Sequence, residues 1–121
     1  MEERRKEPRI DIPEGFRGYF ELQLLTDGDG LPLRLLDFSR HGLKFLSPVR
    51  LSPEATLECR LAAPMMLAGK TVSFMAAVRY CNPSGDMFIA GCQILGVSSE
   101  TWLRVFEKIF AFVSERAGTV Y

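Results

Sequence analysis

The sequence predicts a mainly β fold, a barrel or sandwich of short strands followed by one C-terminal α-helix. Apolar and polar residues alternate over a series of short runs. Clusters of Gly, Pro, Asn, Asp and Ser separate those runs at regular intervals. From residue 98 the apolar period changes from that of a strand to the 3.6 of a helix. At 121 residues, with 47% hydrophobic and 25% charged content, the chain has the composition of one globular domain and not of a disordered segment.

Residues 1–12 are polar and basic, and Pro8 disfavours helix at Glu7, so this stretch reads as a flexible tail that is neither strand nor helix. The β region is expected over residues 13–97. Across residues 15–26, Phe16, Phe20, Leu22 and Leu24 recur at even spacing against Arg17, Tyr19, Glu21 and Gln23, the pattern of a half-buried strand. Asp27-Gly28-Asp29-Gly30 is a tight turn by composition and makes a hairpin with a second strand at 31–38. Asp37-Phe38-Ser39-Arg40-His41-Gly42 then turns into a short strand at 43–46, and Pro48 and Pro53 bracket a loop. Strands at 55–62, 70–81 and 87–95 complete six, the last two joined by Asn82-Pro83-Ser84-Gly85-Asp86.

The helix spans residues 98–118. Ser98 or Ser99 caps it, Glu100 meets the positive end of the dipole, Arg116 the negative end, and Gly118 is the stop. Trp102, Val105, Phe106, Ile109, Phe112 and Val113 form one continuous stripe, which suits a helix covering an open end of the β structure. Leu103 and Phe110 widen that face and make it a candidate surface for a homodimer.

Lys+Arg and Asp+Glu both total 15, so no global field attracts a nucleic acid polymer or an anionic membrane. The charge is uneven all the same: Arg4, Arg5, Lys6 and Arg9 crowd the first ten residues, which points to a local site for a small anion. No apolar run reaches the length of a bilayer span and no signal peptide is visible, so a cytoplasmic location is expected. Cys59, Cys81 and Cys92 are odd in number, lack metal spacing and lie in apolar runs, as buried reduced thiols do. His41 is the one histidine, and neither a catalytic triad, a metal cluster nor a phosphate-binding glycine loop can be assembled. No enzyme, metal or cofactor is expected.

Two short motifs stand out. Arg5-Lys6-Glu7-Pro8-Arg9 is an RxxxR, and Asp37-Phe38-Ser39-Arg40-His41-Gly42 is a DxSxxG, in that order along the chain. Together they resemble the ligand signature of the PilZ domain, a bacterial receptor family for cyclic di-GMP (c-di-GMP). The resemblance extends over nearly the whole chain, through Val78-Arg79-Tyr80 and the Gly-containing strand Ile89-Ala90-Gly91-Cys92-Gln93-Ile94. It implies a six-stranded antiparallel β-barrel with a C-terminal helix, here as a single-domain adaptor that relays ligand occupancy to a protein partner.

The resemblance also implies roles. Arg5 and Arg9 would clamp guanine and phosphate, while Asp37, Ser39 and Gly42 line the barrel side of the site; Arg79 is a further candidate from a later strand. The chemistry is apt. A guanidinium is a planar fork that pairs with phosphate or with the O6/N7 edge of guanine. An ionised carboxylate accepts from the N1–H and N2–H2 edge, and a serine hydroxyl both donates and accepts. Gly42 is expected to supply a positive φ or a close approach to ligand. Arg4 adds a third guanidinium, which would offset the repulsion of a second stacked nucleotide, so two ligands per chain are expected over one. The competing readings are a PilZ-like protein-interaction module that does not bind the nucleotide, and an RNA-binding barrel. The latter lacks the interleaved aromatic and basic residues it would need.

Overall fold

Alternating burial runs through the strands of the computed structural model, which describes residues 9–12, 19–25, 30–63, 67 and 71–116. The strands are β1 (Arg9–Asp11), β2 (Glu21–Leu24), β3 (Leu31–Ser39), β4 (Gly42–Ser47), β5 (Thr56–Ala62), β6 (Thr71–Ser84) and β7 (Met87–Leu95), followed by α1 (Ser99–Arg116). In β4 every second residue is buried: Leu43, Phe45 and the fully buried Ser47 turn inward or into cover, while Gly42, Lys44 and Leu46 are half-buried. Phe20, Leu22 and Leu24 are buried and Tyr19 and Glu21 exposed, the alternation expected of the first strand.

β3 is the hub of the sheet. It pairs with β2 near its start, with Leu22 opposite Leu33, and with β4 across its other edge, with Leu43 opposite Phe38. β2 continues to β5, then β6, β7 and back to β4, every pairing antiparallel. The ring closes into a six-stranded barrel with one C-terminal helix. Closure satisfies the backbone edges that an open sheet would leave bare.

β1 is the correction to the tail. Residues 9–11 form a strand, because β3 runs past the end of β2 and leaves an edge for Arg9, Ile10 and Asp11 to pair with Ser39, Phe38 and Asp37. Ile12 then buries its side chain and donates its N–H to the Leu36 carbonyl at 2.8 Å. The β6–β7 connection is also shorter than expected. β6 continues through Asn82, Pro83 and Ser84, leaving only Gly85-Asp86 as the turn, with Gly85 at φ 62°. A positive φ at the first turn residue is what a two-residue hairpin loop needs to match strand twist. The expected turn residues Asp27, Gly28 and Asp29 and the expected stop at Gly118 lie outside the described residues.

Ser98 is the helix cap: its Oγ accepts the Thr101 N–H at 3.0 Å, satisfying a donor that the first turn leaves open. The stripe of Trp102, Val105, Phe106, Ile109, Phe112 and Val113 is buried throughout. Each such side chain contributes about 1.5–3 kcal/mol on burial. The helix meets the barrel through aromatic edges. Phe38 of β3 packs against Trp102 and Phe106 with centroids 6.3 and 5.5 Å away, and Phe74 of β6 lies 5.1 Å from Trp102. Among the described residues no helix is long and apolar enough to cross a membrane.

Candidate ligand site

The DxSxxG turn joins two strands. β3 ends at Ser39, β4 begins at Gly42, and Arg40 and His41 bridge them. The His41 N–H donates to Ser39 Oγ at 3.4 Å, a local serine turn. The His41 carbonyl accepts from Ile94 N–H of β7 at 2.8 Å, and the Ser39 carbonyl accepts from the indole Nε1–H of Trp102 at 3.1 Å. The turn is therefore fastened to β7 on one side and to α1 on the other.

Asp37 and Ser39 alternate with the core residue Phe38, so they belong to the outer face of the barrel, yet each is only 3% exposed. Lys44, directly across β4 from Asp37, brings its Nζ to 3.3 Å from Asp37 Oδ2. Sequence reasoning missed Lys44. The sequence held only part of the signal, since a lysine between Leu43 and Phe45 must share the face of Gly42, whereas its place opposite Asp37 depends on the β3–β4 register.

Gly42 needs its missing side chain for a reason other than those expected. Its φ is not positive, and an added Cβ would stand 2.5 Å from the Cys92 carbonyl oxygen of β7. A neighbouring strand, rather than a left-handed turn, demands glycine there. Gly91 on β7 is similar, for a Cβ would lie 2.3 Å from the Tyr80 ring. The two glycines let strand and ring lie close over one patch of the outer face.

Arg79 is exposed, as expected from its place after the buried Val78, and one of its guanidinium nitrogens donates to Gln93 Oε1. A bulge between Val78 and Tyr80 breaks the alternation, so Tyr80 is exposed as well. Arg79, Tyr80, Lys44, Gly42, Leu43, Gly91 and Cys92 surround a shallow pocket of about 170 Å3. Gly42 and Arg79, chosen from distant parts of the sequence, thus line one depression. On the far side of β3 the register sets Arg9 opposite Ser39 and Asp11 opposite Asp37. Arg4 and Arg5 lie outside the described residues.

The patch holds cations, amides, hydroxyls and an aromatic ring. Such a set can bind a polar anion with a flat ring, but it offers no assembled nucleophile and base. Among the described residues no cluster of His, Cys, Asp and Glu could hold a metal ion. The Cys92 thiol beneath the pocket is pushed up to about 12 by burial, with smaller effects from Cys59 and Cys81, so it behaves as packing and not as a nucleophile. Burial, with a lesser contribution from Glu58, raises Cys59 to about 12 as well.

No curated protein matches the chain in sequence. Solved structures do match it in fold. The PilZ domain of YcgR from Escherichia coli with c-di-GMP aligns with a TM-score of 0.70 at 22% identity, over 98% of this chain and 100% of that one. The K. pneumoniae MrkH–c-di-GMP complex gives a TM-score of 0.72 at 17% identity, over 95% of this chain and 55% of that one. The Bacillus subtilis inhibitor of motility MotI/DgrA gives 0.69 at 13% identity, over 94% and 54%. This chain therefore spans the whole of the YcgR domain and about half the length of the other two. The model of the PilZ domain matches residues 3–113, from the arginine-rich start to the end of the helix stripe, and the chain belongs to the PilZ domain family.

Proposed function

We propose that this protein is a bacterial, cytoplasmic receptor for c-di-GMP that passes ligand occupancy to a protein partner, an adaptor and not an enzyme. The observation that carries the reading is the register of β1 on β3. It sets Arg9, the last residue of RxxxR, opposite Ser39, the middle of DxSxxG, so the two motifs meet across one strand pair. Structures of the PilZ domain of YcgR and of MrkH with c-di-GMP support it by likeness of fold. In this reading Arg5 and Arg9 close over the nucleotide, pairing with phosphate and guanine. Asp37, Ser39 and Gly42 form the wall beneath, and Arg79 approaches from the far side of the pocket. Arg4 adds the charge that accommodates a second stacked nucleotide. The helix face at Leu103 and at Phe110, which is 47% exposed, is the surface offered for a homodimer or a partner.

One observation favours the alternative of an interaction module without a ligand: the Asp37 carboxylate is buried and already paired with Lys44. Calorimetric titration with c-di-GMP, with GMP and single-stranded RNA as controls, separates the readings. The receptor gives saturable heat with c-di-GMP alone, at concentrations in the tens of micromolar. Arg9→Ala should then weaken binding by about 2–3 kcal/mol, the scale for truncating a charge-assisted contact, and Lys6→Ala should leave it nearly unchanged. No heat with wild-type protein supports the interaction module, and equal losses for Arg9 and Lys6 reduce the tail to diffuse charge.

A further inference from the structure

Trp102 is the sole tryptophan of the chain, and it is 2% exposed. Its position is unusual in serving the core and the ligand turn together. The ring packs between Phe38 and Phe74, while its Nε1–H reaches 63 residues back along the chain to the carbonyl of Ser39. That carbonyl belongs to the last residue of β3, where the strand turns away. Phe38, the neighbouring residue, sets its ring edge-on to Phe106, one turn further along α1. Arg40, the residue after Ser39, lays its guanidinium over the ring of Phe106, 5.9 Å from its centroid. Three consecutive residues of DxSxxG, Phe38, Ser39 and Arg40, therefore each touch α1, by ring, hydrogen bond and cation–π contact. The Phe106 ring in turn stacks on Phe110 at 5.9 Å with the planes 8° apart, carrying the contact to the exposed side of the helix.

We propose that Trp102 is a positioning residue for the nucleotide site, and that its bond to Ser39 couples the DxSxxG turn to α1, so that closing the turn on ligand shifts the helix. This rests on the c-di-GMP reading above. The physical basis is that a buried carbonyl cannot exchange its partner for water cheaply. If the turn shifts to meet the ligand, the indole either follows, moving α1, or leaves the Ser39 carbonyl unsatisfied. Close packing of Phe38 against Trp102 and Phe106 makes following the less costly course.

The sole tryptophan makes the test direct. Trp102 emission and calorimetric heat are recorded in parallel titrations with c-di-GMP, and amide exchange of residues 102–113 is measured with and without saturating nucleotide. Emission should change with the same midpoint as the heat, and exchange along α1 should change on binding. Trp102→Phe, which keeps a ring but removes the N–H, should bind about 5- to 30-fold more weakly, the loss expected for one hydrogen bond to a buried carbonyl, and its α1 exchange should no longer respond. Arg40→Ala, at an exposed position, provides a second variant should Trp102→Phe not fold, and should reduce the α1 response. Saturating heat with unchanged emission and unchanged α1 exchange overturns the coupling while leaving the receptor intact. Trp102→Phe binding as tightly as wild type overturns the positioning role. Absence of heat in wild type instead removes the receptor reading, and this inference with it.

Discussion

Gly42 and Lys44 sit two residues apart on one face of β4 and meet opposite physical demands. Gly42 is fixed by exclusion, since the Cys92 carbonyl leaves 2.5 Å where a Cβ would stand. The obstructing atom is backbone, held in the β4–β7 ladder, so it cannot rotate away. Gly42→Ala should therefore destabilise the fold by about 1–3 kcal/mol, the usual cost of overpacking. A urea-melting midpoint unchanged from wild type would mean that β7 yields there. Lys44 is fixed by attraction, as the partner of a carboxylate that the fold buries. The DxSxxG pattern was legible in the sequence because its residues are contiguous, whereas the Asp37–Lys44 pair depends on the β3–β4 register. That register is shifted by an irregularity between Leu35 and Asp37, which no period-two reading reveals.

Among the elements, β4, β5, β7 and α1 follow their sequence patterns closely, and each departure elsewhere has a local cause. β1 exists because β3 outruns β2, a matter of strand lengths that alternation does not encode. β6 extends through Pro83 because the hairpin closes on Gly85 and not on the wider run of turn formers. Arg79 and Tyr80 are neighbours yet both exposed, since the bulge turns both outward. The buried thiols of β5 and β7 carry a prediction at this scale. Cys59 and Cys92 are raised from 9.0 to about 12, chiefly by burial. The folded state thus holds these protons more tightly than the unfolded chain. Their contribution to stability is complete below pH 9 and is lost progressively as pH rises from about 9 to 12. Urea melts of reduced protein should show that decline, with slow alkylation of both thiols in native protein. Rapid labelling of Cys59 or Cys92 at pH 8 would contradict it.

For the whole molecule, the barrel gathers pieces from distant parts of the chain around one site. β1 brings Arg9, β3 and β4 bring the DxSxxG turn, and β6 and β7 bring Arg79, Tyr80 and the two closely packed strands beneath. Two nucleotides per chain are expected from the third guanidinium at Arg4, because stacked dianions repel and an added cation offsets that repulsion. Calorimetry of Arg4→Leu should fall from two ligands to one with the remaining site intact; a wild-type stoichiometry of one would refute the paired arrangement. The most direct measurement of the central claim, that RxxxR and DxSxxG meet to form a c-di-GMP site on this face, is an amide chemical-shift titration with the nucleotide. Saturable shifts should concentrate at Arg9–Asp11, at residues 37–44 and around Arg79, and leave the β2–β5 pairing at Glu21–Leu24 and Cys59–Ala62 unchanged. Shifts confined to that pairing, or none that saturate, would contradict it.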